Sequence, residues 1–579
     1  MKGLFKQIGS ARKLLVISIG FGILTGLFIL LQATTLAAII DGAFLQEKDL
    51  QALLPLLWLL LLWLVLRMMI QTAGEWAASA MTIRIKQDLR SRLVRHLAKL
   101  GPHYMKRERS GELIHTVYAG IEHLDAYLAK YIPQAAYSMI IPFAIGITVL
   151  GLDLVTTAVF IVTLPLLILF MILIGIGAKA MTDRQWRTLG LLGGHFMDIL
   201  KGLTTLKLYN RSKAQIEIIR GVSERYRKTT MGTLRVAFLS AFVMELFATL
   251  STAIIAVFLG LRLISGEMDF RSAFLILLLA PDFYAPIRQL GTQYHAAMNG
   301  ISAAKRIFEI LDTKPLGWTE EDGGSKQLPA QKKGYAIEFD QVSFRYPDSE
   351  QDVLKNVSFR LEQGHWLAIA GPTGSGKSTL LELLMGYLKP TSGRILIEGV
   401  DLAELSIQWW REQLAPVAQR VHLFHGTLQD NLTIGHAQAT ATEVQDACRD
   451  ARLDQLVATL PEGLETIMDE SVRLSGGQVQ RIAIARALLK PSPVWLFDEA
   501  TAQLDVETEQ MIQHTLNPLL AARTAITVAH RLAVTREADH LLVLQDGEVV
   551  ETGTHETLLQ QQGLYASMLQ AEHMEGAAH

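Results

Sequence analysis

The octapeptide Gly371–Pro372–Thr373–Gly374–Ser375–Gly376–Lys377–Ser378 has the spacing G-x-x-x-x-G-K-[ST]. It follows an apolar run, Leu367–Ala370, and leads into a helical pattern. Glycines let the backbone curl until successive N–H groups point inward, and the helix N-terminus adds its partial positive charge. Lys377 brings a full charge to β- and γ-phosphate oxygens, and the Ser378 hydroxyl is a ligand for Mg²⁺. A second stretch, Val494–Trp495–Leu496–Phe497–Asp498–Glu499, is an apolar strand ending in two carboxylates. Asp498 suits Mg²⁺ held through water, and Glu499 suits polarising the water that attacks a γ-phosphate. Two solvated acids capping a core strand are the alternative, common when such a stretch stands alone. A third stretch, Leu474–Ser475–Gly476–Gly477–Gln478, opens a long helical pattern. A serine and two glycines at a helix N-terminus make an anion site. That site has no phosphate of its own in this domain, so it needs a partner.

With Leu474–Gln478 the sequence resembles the ATP-binding cassette (ABC) family, for which this pentapeptide is the signature. The resemblance implies ATP bound by Gly371, Pro372, Thr373, Gly374, Ser375, Gly376, Lys377, Ser378 and Thr379. It implies that Ser475, Gly476, Gly477 and Gln478 reach the γ-phosphate of ATP held by the other subunit. Tyr346, in Ser343–Pro347, would stack on adenine, and Gln419 would sense Mg²⁺ and the transmembrane domain. Asp505, ending Ala502–Asp505, would help align the subunits, and His530 would contact the γ-phosphate. The implied catalytic set is thus Glu499, Gln419 and His530, with Ser378, Gln419 and Asp498 around Mg²⁺. One departure stands out. Exporters of this class carry an acidic run before the signature that this chain replaces with Thr466–Val472, where Asp469 is nearest the acidic position.

The elements that must carry these loops divide the chain in two. Its 579 residues exceed one ordinary domain. Charged residues make up 19%, below the ~25% of soluble proteins, and nearly all long apolar runs fall before residue 300. Net charge is −2, which offers nucleic acid nothing. The lone cysteine, Cys448, excludes an intramolecular disulfide. Six runs reach the ~20 apolar residues a bilayer demands: Leu14–Ile40, Ala52–Ile70, Ile132–Leu152, Val155–Ile176, Val236–Leu263 and Ala273–His295. The first is too long for a signal-peptide core and has no cleavage site, so it is expected to be retained. Lysine and arginine crowd Gly74–Tyr131 and Lys179–Arg235, which places those segments, the N-terminus and the C-terminal half in the cytoplasm. Both segments are amphipathic, so the spans are expected to run on past the bilayer, with turns at Gly101–Tyr104 and Leu208–Arg211, although a solvated loop helix also fits. The expected architecture is multidomain: an all-α six-helix transmembrane domain over 1–311, a linker over 312–334 rich in Pro, Gly and charge, and an α/β P-loop cassette over 335–579.

Six spans fused before one cassette resemble the exporter half-transporter, which works as a pair. Within the membrane half, Gly193–Gly202, Val243–Ser251 and Ala280–His295 look like the CydD type of half-transporter. That resemblance implies a CydC-type partner, support of cytochrome bd assembly in the bacterial cytoplasmic membrane, and a thiol (cysteine, glutathione) or haem as cargo. Ionisable residues inside a span face a cavity or one another. Arg288 and His295 are seven apart, hence on one helical face, and Glu245 is deep in the fifth span. Arg288 suits a cargo carboxylate and His295 a haem iron; an internal ion pair fits the same residues equally well. Pro281 and Pro286 are expected to distort this last helix. A homodimeric lipid or multidrug exporter, and a cassette ATPase that gates or regulates, remain open as rivals.

Overall fold

A computed structural model describes residues 12–108, 113–114, 116–331, 333–469, 472, 474–499, 506–529 and 535–577. Two compact units divide the chain. The first takes the residues up to Ala98 and from Glu108 to Thr313; the second takes Lys99–Arg107 and everything from Lys314.

The first unit is helical: α1 (Arg12–Phe44), α2 (Leu50–Arg107, whose end from Lys99 belongs to the second unit), α3 (Thr116–Leu150, with two π-helical stretches), α4 (Leu154–Lys201), α5 (Leu203–Leu208), α6 (Ser212–Ile264) and α7 (Phe270–Asp312). All but α5 are long and apolar enough to cross a membrane. At ~1.5 Å per residue, the 58, 48 and 53 residues of α2, α4 and α6 far exceed ~30 Å of hydrocarbon. Breaks occur where the turns are expected. Gly101 leaves the helix at φ 77°, and Asn210, at φ 54°, lies between α5 and α6.

Two kinds of apolar surface explain the packing. Trp58, Leu61, Leu62 and Val65 on α2 stay exposed, as residues meant for lipid do. Ile29, Ala33, Ile141, Ile145, Met244, Ile276 and Phe283 form the interior, where Phe283 stacks on Phe160 at 3.9 Å. The least uniform apolar run became the most buried span: half of the apolar window of α7 is buried, against 6% for α2. Membrane helices gain nothing from hiding leucine from lipid, so small and polar residues mark the packed centre. α7 also runs unbroken through Pro281 and Pro286, contrary to the expected distortion. Gln134 of α3 donates to the Pro286 carbonyl at 2.8 Å, which gives that oxygen a partner from a neighbouring helix. Asp153 caps α4 and pairs with Arg262 near the end of α6, tying two spans together beyond their apolar stretch.

The second unit is α/β. A four-stranded antiparallel sheet has the order β2-β1-β4-β5, from β1 (Ile337–Phe344), β2 (Leu354–Leu361), β4 (Ser392–Ile397) and β5 (Val400–Asp401). A six-stranded sheet has the order β12-β11-β3-β10-β9-β6. Its strands are β3 (Trp366–Ala370), β6 (Leu414–Val417), β9 (Val494–Asp498), β10 (Thr524–Val528), β11 (His540–Gln545) and β12 (Glu548–Gly553). All pairings are parallel except β11 with β12. β3, β9 and β10 are almost continuously buried, as a sheet covered on both faces requires. A short ribbon joins β7 (Gly426–Thr427) to β8 (Ile467–Met468), immediately before Asp469. The longer helices of this unit include α8 (Lys377–Leu384), α9 (Ala441–Asp450), α10 (Gly476–Leu489) and α11 (Val506–Leu520). Cys448 on α9 is buried in the core, and burial pushes its thiol up to about 11.

The segment expected to be a linker is bound along its length to the cassette. Trp318 N–H donates to the Gly386 carbonyl at 2.9 Å, Lys389 N–H to Leu316 at 2.8 Å, and Gly324 N–H to Ala403 at 3.0 Å. Gly317 is required there: a Cβ would sit 2.5 Å from the Gly386 carbonyl oxygen.

Trp495, bulky for the middle of a strand, is accounted for by its burial and two contacts. Its ring is 1% exposed, its Nε1–H donates to the Ser492 carbonyl at 3.1 Å, and the Arg523 guanidinium lies over it at 4.4 Å. Trp495→Ala is expected to cost the cassette about 3–5 kcal/mol, read as a lower unfolding transition in calorimetry of the solubilised chain. Trp495→Phe, which keeps most of the volume, should recover the larger part of it.

Candidate functional site

The parallel order β11-β3-β10-β9 brings together loops far apart in sequence. The phosphate-type loop leaves β3, and Asp498 and Glu499 leave β9 two strands away. Ser378 Oγ thereby lies 3.4 Å from Asp498 Oδ1 across 120 positions of chain. Gly371, Gly374 and Gly376 hold φ of +148°, +87° and +105°, values open to glycine and strained for other residues. Lys377 is 8% exposed and turns back on its own loop, donating to the carbonyls of Gly371 at 2.7 Å and Pro372 at 2.9 Å. Burial lowers its pKa, while the Glu499 and Asp498 carboxylates pull the other way. The Ser375 hydroxyl is buried in the same loop without a hydrogen-bond partner. An orphaned hydroxyl beside a buried cation, in a loop held by three positive-φ glycines, fits an anion.

Glu499 is itself at φ 51°, and its N–H donates to the Val528 carbonyl at 3.1 Å. A non-glycine residue held there carries strain of the kind that gathers at functional sites. Gln419, 80 positions earlier, donates from Nε2 to Glu499 Oε2. Tyr346 reaches Thr379 Oγ1 at 3.3 Å, and the His103 ring stacks on Tyr346 at 4.5 Å. His103 was absent from the expected set; the turn at Gly101 was its only signal.

Ser475 is the N-cap of α10 and closes a capping box. Its N–H donates to Gln478 Oε1 at 2.8 Å, and its Oγ accepts from Gln478 N–H at 3.2 Å. Gly476 and Gly477 form the first turn behind it. His530 and Asp505 lie outside the described residues.

In the helical unit, Arg288 of α7 and Glu245 of α6 form an ion pair at 2.5 Å. The pair borders a cavity of about 190 Å³ lined also by Ser240, Met244, Gly291 and Thr292. His295 is within α7, but its side chain lies outside the described residues.

Comparison with known proteins agrees across both units. Residues 15–286 match the ABC transporter transmembrane region, and 354–502 match the ABC transporter family. A glutathione/L-cysteine transport system ATP-binding/permease protein CydC of Bacillus subtilis is 36% identical over 573 residues, 99% of each chain. The corresponding CydD of Escherichia coli is 34% identical, covering 95% of this chain and 94% of that one. A solved bacterial Atm1-family ABC exporter with ATP bound superposes with a TM-score of 0.80 at 26% identity, covering 98% of both chains. Six apolar helices followed by an α/β nucleotide-binding domain, alike to these along nearly their whole length, place the chain in the ABC exporter family, as a half-transporter that hydrolyses ATP to drive transport.

Proposed function

We propose that the chain is one half of a heterodimeric exporter of the CydC/CydD kind, moving a small thiol such as cysteine or glutathione out across the bacterial cytoplasmic membrane in support of cytochrome bd assembly. The single observation that carries the cargo reading is the Glu245–Arg288 pair beside its cavity. At about 190 Å³ it is below the ~300–1,000 Å³ of sites for drug-sized ligands. That size favours an amino-acid thiol over haem. The charges favour it too: Arg288 suits a carboxylate, Glu245 an ammonium. A homodimeric lipid exporter is expected to have a broadly apolar cavity, and a charged pair beside the cavity argues against that rival.

On the ATP side, the amides of Gly371–Thr379, Lys377 and the Ser375 hydroxyl hold the phosphates, and Tyr346 stacks on adenine. The Ser378 hydroxyl and Asp498, hard oxygen donors 3.4 Å apart, fit Mg²⁺ with Gln419 nearby. When bound, Mg²⁺ neutralises charge on the β- and γ-oxygens. Glu499 orients the attacking water, with Gln419 holding its carboxylate. His530 and the partner's signature loop finish the pocket, and Ser475, Gly476, Gly477 and Gln478 serve the partner's ATP with Asp505 aligning the halves. The pocket closes only in the pair, so ATP's preference for the closed pair drives the cycle.

The chain co-purified with its partner subunit and reconstituted in liposomes should show ATPase activity stimulated by L-cysteine or glutathione. Glu245→Gln and Arg288→Gln should each raise the half-stimulating concentration about tenfold or more. Stimulation by lipids with none by thiols would overturn the reading.

A further inference from the structure

A further acid–base pair sits in the helical unit. Arg67 of α2 is the only charge between Leu50 and Ile70. Its Nη1 donates to Gln32 Oε1 of α1 at 2.8 Å, and its Nη2 lies 3.9 Å from Asp282 Oδ1 of α7. Three spans thus converge on one polar cluster. Charge inside a span is costly and is kept for pathways or pairing. Pairing alone explains this cluster poorly. The 3.9 Å separation is beyond hydrogen-bond reach, and Asp282 accepts no side-chain hydrogen bond among the described residues. Arg67 keeps donors to spare, since its five N–H groups meet Gln32 through one. Nor is the cluster sealed: the Arg67 and Asp282 side chains are 27% and 36% exposed. The Glu245–Arg288 pair is closed at 2.5 Å by comparison.

Asp282 precedes Arg288 by six residues, about 9 Å along α7 toward Phe270. Six residues also turn the helix to another face, so Arg288 meets α6 while Asp282 faces Arg67 of α2. α7 therefore carries an acid–base pair on each of two faces.

We propose that Gln32, Arg67 and Asp282 form a second binding station for cargo that carries both an ammonium and a carboxylate group. The open pair offers a carboxylate to the first and a guanidinium to the second, and a zwitterion satisfies both at once. A purely anionic ligand takes Arg67 and strands Asp282 at low dielectric, which is unfavourable. The station rests on the thiol-exporter reading and adds to it the charge pattern that cargo must have.

The test uses the full chain with its partner subunit in liposomes and reads the half-stimulating concentration of three thiols. L-cysteine has both charges, cysteamine only the ammonium, and 3-mercaptopropionate only the carboxylate. Asp282→Asn should weaken L-cysteine and cysteamine about tenfold and spare 3-mercaptopropionate. Arg67→Gln should weaken L-cysteine and 3-mercaptopropionate and spare cysteamine. Because Arg67→Gln leaves Asp282 unpaired and can harm folding, the charge-neutral pair R67Q/D282N is the second variant. It should lose the preference for L-cysteine over both single-charge probes. A common factor for all three probes, no shift in any, or an intact preference in the double variant overturns the station and leaves the thiol reading standing. Failure of every probe to stimulate the unaltered chain overturns both.

Discussion

Glu499→Gln, introduced together with loss of the companion site in the partner subunit, is expected to lower ATP turnover by about 10²- to 10⁴-fold while ATP still binds. Glutamine keeps the volume and one oxygen but not the charge that the proposed role, orienting water, requires. Its surroundings make the position exacting. The backbone is held at φ 51°, anchored by the N–H donated to Val528, and the carboxylate is fixed by Gln419. Steady-state phosphate release gives the rate and equilibrium nucleotide binding gives the affinity. Turnover near the unaltered rate would show that another group orients the water.

Gly371→Ala should act on binding, through sterics. At φ +148° a side chain is strained, and its Cβ would stand 2.1 Å from the Leu544 carbonyl oxygen and 2.9 Å from Ser375 Oγ. Leu544 belongs to β11, a central buried strand that cannot retreat, so the loop must yield and its amides lose their common focus. Nucleotide affinity is expected to fall at least about 100-fold, and the cassette to lose about 2–4 kcal/mol of stability. Gly374→Ala separates strain from collision: φ is +87°, but no atom lies within 4 Å of its Cβ. Its stability cost should stay near 1–2 kcal/mol. Thermal unfolding with and without ATP measures both.

Much of this was readable because phosphate chemistry imposes short, local spacing. Lys377 and Ser378 follow from a motif that contains its own geometry, and Asp498 from two carboxylates that end an apolar strand. Six spans followed from apolar length, since lipid imposes the same minimum on each. Other features depend on neighbours remote in sequence. Proline, glycine and charge made 312–334 read as a linker, yet Leu316, Trp318 and Gly324 bind through backbone groups, which leave no side-chain period. Pro281 and Pro286 are expected to distort α7, but the helix continues, with Gln134 of α3 packed against it. Trp495 needed Arg523, 28 positions on, before its size made sense. Arg67 went unweighed because one charge vanishes in the average over an apolar run, whereas Glu245 and Arg288 sat close to recognisable stretches.

Cys448 bears on how such a machine survives its freight. Its thiol, at about 11, is less than ~0.1% thiolate at neutral pH, and only the thiolate attacks a disulfide. It is also enclosed in the cassette core, within the ATPase half of the molecule. On the proposed thiol cargo, an oxidised cysteine or glutathione would therefore meet no nucleophilic sulfur belonging to this subunit. With that cargo, the polypeptide would handle a redox-active load without being covalently captured by it.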